Sequence, residues 1–158
     1  MAVETGRITT DQISNDSNET FSIGEHLGTS LVGGEIILLF GGLGAGKTLL
    51  TKGILNALEF DIDEVTSPSF TLVNLYRTER FDVYHIDLWR LDGKIDVVAA
   101  VGLDEILENE NAVTIIEWAD RLNSFSFSNL VIRVNIEGDG DDPRFITINA
   151  SAELAQKM

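Results

Sequence analysis

Residues 36–50 read IILLFGGLGAGKTLL. Ile36 to Phe40 form an apolar run long enough for a buried strand. Gly41 to Thr48 then satisfy G-x-x-x-x-G-K-[ST], and Leu49 onward reads as helix. Strand, glycine loop and helix in that order are the setting of a phosphate-binding P-loop. Glycines let backbone N–H groups turn inward around phosphate oxygens without Cβ clashes. The helix that follows adds its free N–H groups and the positive end of its dipole. Phosphate contacts are therefore expected from Gly41, Gly42, Leu43, Gly44, Ala45, Gly46, Lys47, Thr48 and Leu49. Lys47 is placed to reach the β- and γ-phosphates, and the Thr48 hydroxyl to ligate Mg²⁺.

Outward from this stretch, composition narrows the class. With 158 residues, of which 44% are hydrophobic, one domain with an ample core is expected. No apolar run approaches the ~18 residues of a membrane span, and the N-terminus carries no apolar stretch of a secretory signal. Cytoplasmic location with no membrane contact is the resulting expectation. The absence of cysteine removes disulfides, zinc-thiolate sites and cysteine nucleophiles together. With 26 acidic residues against 11 basic, the net charge is −15. Such a surface repels nucleic acid and anionic membrane, so any link to RNA is expected to run through a partner.

Residues 1–17 are polar and aperiodic and read as a flexible tail, leaving 18–158 as the single domain. Asn18-Glu19-Thr20 can cap a helix over Phe21 to Leu31, with Phe21, Ile23, Leu27 and Leu31 as its apolar stripe. Gly33-Gly34 ends it. After the P-loop, Leu50, Ile54, Leu55 and Leu58 supply one buried helix face. Ser67-Pro68-Ser69 breaks regular structure. Phe70 to Tyr76 and Phe81 to Leu88 read as strands joined by a short turn, hence antiparallel. Short helical pieces follow over Val97 to Val101 and Leu103 to Leu107, in a region punctuated by Gly93 and Gly102. Val113 to Ile116 is an apolar strand, and 118–128 a loop or short helix. Leu130 to Ile136 and Phe145 to Ile148 alternate as half-exposed antiparallel strands about the turn GDGDDP, and residues 151–158 close with a helical turn. The fold class is α/β: a P-loop NTPase-like three-layer fold whose central sheet has a parallel core and antiparallel strands.

A P-loop enzyme needs a carboxylate at the C-terminal end of a neighbouring strand, to hold Mg²⁺ or orient the attacking water. Val83 to Asp87 and Val113 to Glu117 each end in one, and spacing does not rank Asp87 against Glu117. His85, inside the first of these strands, reads as a packed, hydrogen-bonded core residue rather than a catalyst, and His26 as a helix-surface residue. Trp118 either stacks on a base or packs the wall of the site. Ser67-Pro68-Ser69-Phe70-Thr71 lies where a γ-phosphate-sensing loop sits in P-loop proteins, so the hydroxyls of Ser67, Ser69 and Thr71 are candidate contacts.

GGLGAGKT, SPSFTLVNLY, VYHIDLWRL and IIEWADRL, in that order and at these distances, resemble the TsaE family, formerly YjeE, over roughly residues 18–133. That resemblance implies an ATPase needed to make threonylcarbamoyladenosine on tRNA, with ATP as substrate, ADP as product and Mg²⁺ as cofactor. It implies that Lys47 and Thr48 serve phosphates and Mg²⁺, that Asp87 is the Walker B-like aspartate, and that Glu117 is a second acidic residue at metal and γ-phosphate. Lys47, Asp87 and Glu117 would then be catalytic, and Thr48, Asp87 and Glu117 the metal-side set. Trp118 would lie near the nucleotide, and 67–71 would be the switch-like loop. The family works with TsaB and TsaD, the latter contacting tRNA, and ATP turnover would reset that assembly. Three positions depart from the family pattern: Gly42 replaces a usually acidic or polar residue, Ser69 a threonine, and Trp89 a tyrosine.

Two other readings compete. A small-molecule P-loop kinase needs arginines to neutralise the transferred phosphate, and here Arg77, Arg80, Arg90 and Arg121 are scattered. A nucleotide-gated binding module would bind without significant turnover. A GTPase is disfavoured because no N-K-x-D motif occurs.

Overall fold

The computed structural model describes residues 6–91, 96–122, 125–127 and 130–156. Seven strands form one mixed sheet in the order β1-β7-β6-β2-β5-β4-β3. In chain order they are β1 (Arg7–Ser14), β2 (Glu35–Phe40), β3 (Val73–Arg77), β4 (Asp82–Asp87), β5 (Val113–Glu117), β6 (Leu130–Glu137) and β7 (Arg144–Ser151). β4, β5, β2 and β6 run parallel to one another. Antiparallel pairs close both sides: β3 with β4 on one, and β6 with β7 and β7 with β1 on the other. The mixed sheet expected from the sequence is thus present, with its parallel core flanked by hairpins.

The helices are α1 (Ser17–Thr29), α2 (Lys47–Ala57), α3 (Val97–Val101), α4 (Leu103–Leu107) and α5 (Ala152–Ala155). Side chains of a strand alternate between faces, so β2 feeds two cores. Ile37 and Leu39 join Leu27, Leu31, Leu50 and Ile54 beneath α1 and α2. Ile36 and Leu38 join Val97, Val101 and Leu103 beneath α3 and α4 on the other face. Strands covered on both sides read as near-continuous apolar runs, which is why 36–40 carries no alternation and 113–116 is broken only by the buried Thr114. Among the described residues no helix is long and apolar enough to cross a membrane.

The contact that sets the P-loop helix in place is backbone on backbone. Gly24 of α1 meets α2 so closely that a β-carbon there would overlap the Leu50 carbonyl oxygen and lie 3.1 Å from the Gly53 Cα. At Gly28 it would lie 2.6 Å from the Ile54 oxygen and 2.8 Å from the Ala57 Cβ.

Three expectations need correction. Residues 7–14 are not a tail: they pair along their whole length with β7, from Arg7 opposite Ser151 to Ser14 opposite Arg144. α1 starts at Ser17 rather than Phe21, because Asp16 is the cap, accepting the Glu19 N–H at 2.9 Å. The third strand starts at Val73 rather than Phe70, because Leu72 adopts a left-handed φ of 69° and its N–H closes a turn on the Pro68 carbonyl. The hairpin, the two short helical pieces and the 130–151 strand pair lie where the sequence put them, as does the final turn over 152–155. Gly93, residues 1–5, 157–158 and parts of 118–128 lie outside the described residues.

Candidate functional site

Gly44 and Gly46 have φ values of 77° and 116°, a region that costs side-chain-bearing residues. Those two turns wrap the loop around the N-terminus of α2, which begins at Lys47 with no side-chain cap on its free N–H groups. The Lys47 side chain is 5% exposed and doubles back, its Nζ donating to the carbonyls of Gly41 and Gly42 at 2.7 Å each. Burial pushes the pKa of this ammonium down, and the carboxylates of Glu117, Asp87 and Asp120 restore only part of the loss. An ammonium has three donors, so one N–H of Lys47 stays available to an anion.

The strand order decides what faces the loop. β5 lies between β2 and β4, and the register sets Glu117 beside both Leu39 and Asp87. Glu117 is thus next to the P-loop strand, and Asp87 is one strand further out. The Thr48 hydroxyl donates to Glu117, at 3.2 Å from each carboxylate oxygen. Asp87 instead receives the Ser67 hydroxyl at 2.7 Å on Oδ2 and the Trp89 N–H at 2.9 Å on Oδ1. Ser69 Oγ lies 3.2 Å from Ser67 Oγ. Both carboxylates are 3% exposed, and each is hydrogen-bonded as burial requires.

Aromatic rings form the wall. Trp118 holds a left-handed φ of 59°, unusual for a bulky residue and costing about 1–3 kcal/mol. Its indole lies 4.3 Å from Lys47 Nζ and 4.6 Å, centroid to centroid, from that of Trp89. Trp118 thus packs between Lys47 and Trp89.

Lys47, Thr48, Ser67, Asp87, Glu117 and Trp118 converge on one cavity of about 380 Å³, with Leu43, Gly44, Gly46, Leu49 and Ser69 also lining it. Gly41 and Gly42 contribute the carbonyls that hold Lys47. Thr71 does not line the cavity; the turn at Leu72 carries its hydroxyl to Asn74 Oδ1, 3.2 Å away. Ala45 lines a second cavity of about 310 Å³ on the other flank of the loop, between Asn15 and Asp16 at the start of α1 and the β6–β7 turn. His85 is fully buried and hydrogen-bonded, as read from the sequence, and His26 is exposed on α1.

Arg144 escaped the sequence reading. Its Nε donates to the Ala45 carbonyl at 2.9 Å and its Nη2 to that of Gly44 at 3.3 Å, bracing the glycine loop from behind. Nothing local to Arg144 signals this, because the partners are 99 and 100 residues away. Tyr76 escaped as well; its hydroxyl sits between His85 and the root of the serine loop.

Comparison with known proteins follows from this geometry. Residues 14–146 match the family described as threonylcarbamoyl adenosine biosynthesis protein TsaE. A Nostoc protein named tRNA threonylcarbamoyladenosine biosynthesis protein TsaE is 34% identical over 141 residues, covering 84% of this chain and 85% of its own. A Rickettsia felis protein of the same name is 34% identical over 136 residues, covering 86% and 77%. The crystal structure of Bacillus subtilis YdiB superposes with a TM-score of 0.75 at 27% identity, over 96% of this chain and 94% of that one.

Proposed function

The chain belongs to the TsaE family, whose named members serve tRNA threonylcarbamoyladenosine biosynthesis, and we propose that its own task there is to bind ATP with Mg²⁺ and hydrolyse it. The observation that carries this reading is the Thr48 hydroxyl on the Glu117 carboxylate, at the mouth of a glycine loop that also holds Lys47.

The donor set suits Mg²⁺. Thr48 Oγ1, Glu117 and Asp87 offer oxygen alone, the ligand type a hard cation takes. Among the described residues no group of three or more His, Cys, Asp or Glu could hold a metal by itself. That agrees with a site completed by phosphate oxygens and water, the usual arrangement for Mg²⁺ on a nucleotide. Thr48 and Glu117 would hold the ion, with Asp87 beside them. The ion, when bound, neutralises charge on the β- and γ-phosphates.

The chain's own residues do the rest. N–H groups of the loop and of the first turn of α2 cradle the phosphates. The free N–H of Lys47 serves a β- or γ-phosphate oxygen. Asp87, held by Ser67 and the Trp89 N–H, would orient a water for attack. The nucleoside end fits the second cavity, on the flank braced by Arg144.

Lys47 is the one cation lining the main cavity among the described residues. With no second cation to stabilise charge in the transition state, turnover by the isolated chain is expected to be slow and to rise with partners resembling TsaB and TsaD. The net charge of −15 supports tRNA being contacted mainly by those partners.

The test is ATP hydrolysis with and without purified TsaB- and TsaD-type proteins, for wild type, Lys47→Ala and Glu117→Ala. Partner-dependent turnover lost in both variants is the expected result. Full turnover in Lys47→Ala overturns the site assignment, and turnover absent under every condition favours a binding module.

A further inference from the structure

A histidine buried in a strand has to satisfy two ring nitrogens, and what satisfies them here leads from one side of the site to the other. Residues 83, 85 and 87 share a face of β4, so His85 and Asp87 both point to the side covered by α2, as does Glu117 from β5. His85 is 0% exposed. Its Nε2 lies 2.5 Å from Glu117 Oε2, a hydrogen bond between two buried side chains. Its Nδ1 lies 3.3 Å from the Tyr76 hydroxyl. The single proton of that hydroxyl is shared between Nδ1 and the Thr66 carbonyl, 3.0 Å away, and the hydroxyl oxygen accepts the Thr66 N–H at 3.3 Å. Asn74 Nδ2 ties the same two groups together, at 3.2 Å from the Thr66 oxygen and 3.3 Å from the Tyr76 hydroxyl. Thr66 is followed by Ser67, whose hydroxyl holds Asp87. Hydrogen bonds from Glu117 through His85 and Tyr76 to Thr66, the peptide link to Ser67, its hydrogen bond to Asp87, and strand β4, which carries both His85 and Asp87, together make a ring.

We propose that His85 is a positioning residue, which fixes the Glu117 carboxylate through Nε2 and, through Tyr76, couples it to the serine loop that holds Asp87. The inference rests on the reading of Glu117 as a metal-side residue. A carboxylate has about four acceptor positions. His85 takes one on Oε2 and Thr48 takes another, which leaves Oε1 oriented with free lone pairs beside the Thr48 oxygen. A carboxylate held only by Thr48 would rotate and offer Mg²⁺ a poorer geometry, and loss of such outer partners costs tenfold to a hundredfold in metal affinity or activity. A purely structural histidine would fill space and satisfy itself. This one spends its nitrogens on a site carboxylate and on the anchor of the loop beside the second carboxylate. When a phosphate draws Ser67, the ring transmits the shift to Thr66, and through Tyr76 and His85 to Glu117.

Both tryptophans of the chain, Trp89 and Trp118, line the cavity, so their emission reports ligand binding. The experiment titrates ADP in EDTA, then Mg²⁺ at fixed ADP, for wild type, His85→Phe, His85→Gln, Tyr76→Phe and Glu117→Gln. Turnover with the TsaB- and TsaD-type partners and a thermal melt accompany each titration. His85→Phe keeps ADP affinity in EDTA within about twofold, raises the Mg²⁺ midpoint at least about tenfold, and lowers kcat with little change in KM. His85→Gln, whose amide reaches Glu117 as Nε2 does, recovers most of the Mg²⁺ response. Tyr76→Phe, which keeps His85 but cuts the link to Thr66, shifts the midpoint by about threefold. A folded His85→Phe with the wild-type midpoint overturns the proposal, as does His85→Gln no better than His85→Phe. Should His85→Phe fail to melt cooperatively, a wild-type midpoint in Tyr76→Phe overturns the coupling on its own. Glu117→Gln separates the two levels: an unchanged midpoint there brings down the metal-side reading, whereas an impaired Glu117→Gln beside an unaffected His85→Phe brings down the positioning role alone.

Discussion

Gly24→Ala sets two magnitudes against each other. Alanine at an interior helix position gains roughly 0.5–1 kcal/mol over glycine in α1. Against this, the new β-carbon overlaps the Leu50 carbonyl oxygen and sits 3.1 Å from the Gly53 Cα. Both obstacles are backbone atoms of α2, so no side chain can turn away, and the helices must separate by about 1 Å to restore ordinary contact. Overpacking of this kind costs about 1–3 kcal/mol, and more where backbone must move. Packing wins, and the net destabilisation is about 1–2 kcal/mol, or roughly 2–8 °C in Tm for a chain of this length. The displacement reaches the site, because α2 begins at Lys47 and the start of α1 borders the flanking cavity. ADP affinity is therefore expected to fall several-fold as well. The assay is thermal unfolding with and without ADP, beside Ser22→Ala, which changes an exposed position of the same helix and should keep or slightly raise Tm. A Gly24→Ala protein melting at or above wild type with unaltered ADP binding would refute the reasoning, since propensity would then have outweighed a contact that was never tight.

Lys47→Met should raise the Tm of the ligand-free protein while abolishing stabilisation by ADP, measured as paired melts. Burial lowers the Lys47 pKa, so at neutral pH the fold carries an ammonium it disfavours; that cost is present below the folded pKa and lifts as pH rises into the alkaline range, where the variant's advantage should vanish. Arg144→Met removes the bonds to the Ala45 and Gly44 carbonyls and should weaken ADP binding about tenfold, read by tryptophan emission. Deleting residues 1–13 should lower Tm and promote self-association, seen by light scattering, because β7 loses its partner strand and becomes an open edge; a true tail would leave both unchanged.

What the sequence revealed follows the range of each interaction. The glycine loop was legible because it lies in eight consecutive residues, 41–48, flanked by the strand and helix that shape it. The carboxylates were legible as strand ends, but which of them meets Thr48 was not, since that depends on β5 lying between β2 and β4. The strand over 7–14 was missed because seven of its eight residues are exposed, so its pairing is carried by backbone hydrogen bonds that leave no hydrophobic pattern. Thr71 was grouped with the site because a run of hydroxyls looks like one loop; the left-handed turn at Leu72 sends it elsewhere.

The same strand order accounts for why the two carboxylates need different supports. Glu117, beside the P-loop strand, meets Thr48, whose position is fixed by the loop and helix that carry it. Asp87, one strand out, meets Ser67 on a segment held by no strand or helix of its own. One carboxylate is thus tied to the start of α2 and the other to a segment outside any strand or helix. Tyr76 and His85 stand between, on a hairpin whose register sets Tyr76 opposite Val83 and Asn74 opposite His85, so the coupling element is itself built from paired strands. That placement makes the histidine's burial a consequence of function as much as of packing: a side chain with two hydrogen-bonding ends, held in the core, joins a strand-end carboxylate to the root of the serine loop without admitting water between them.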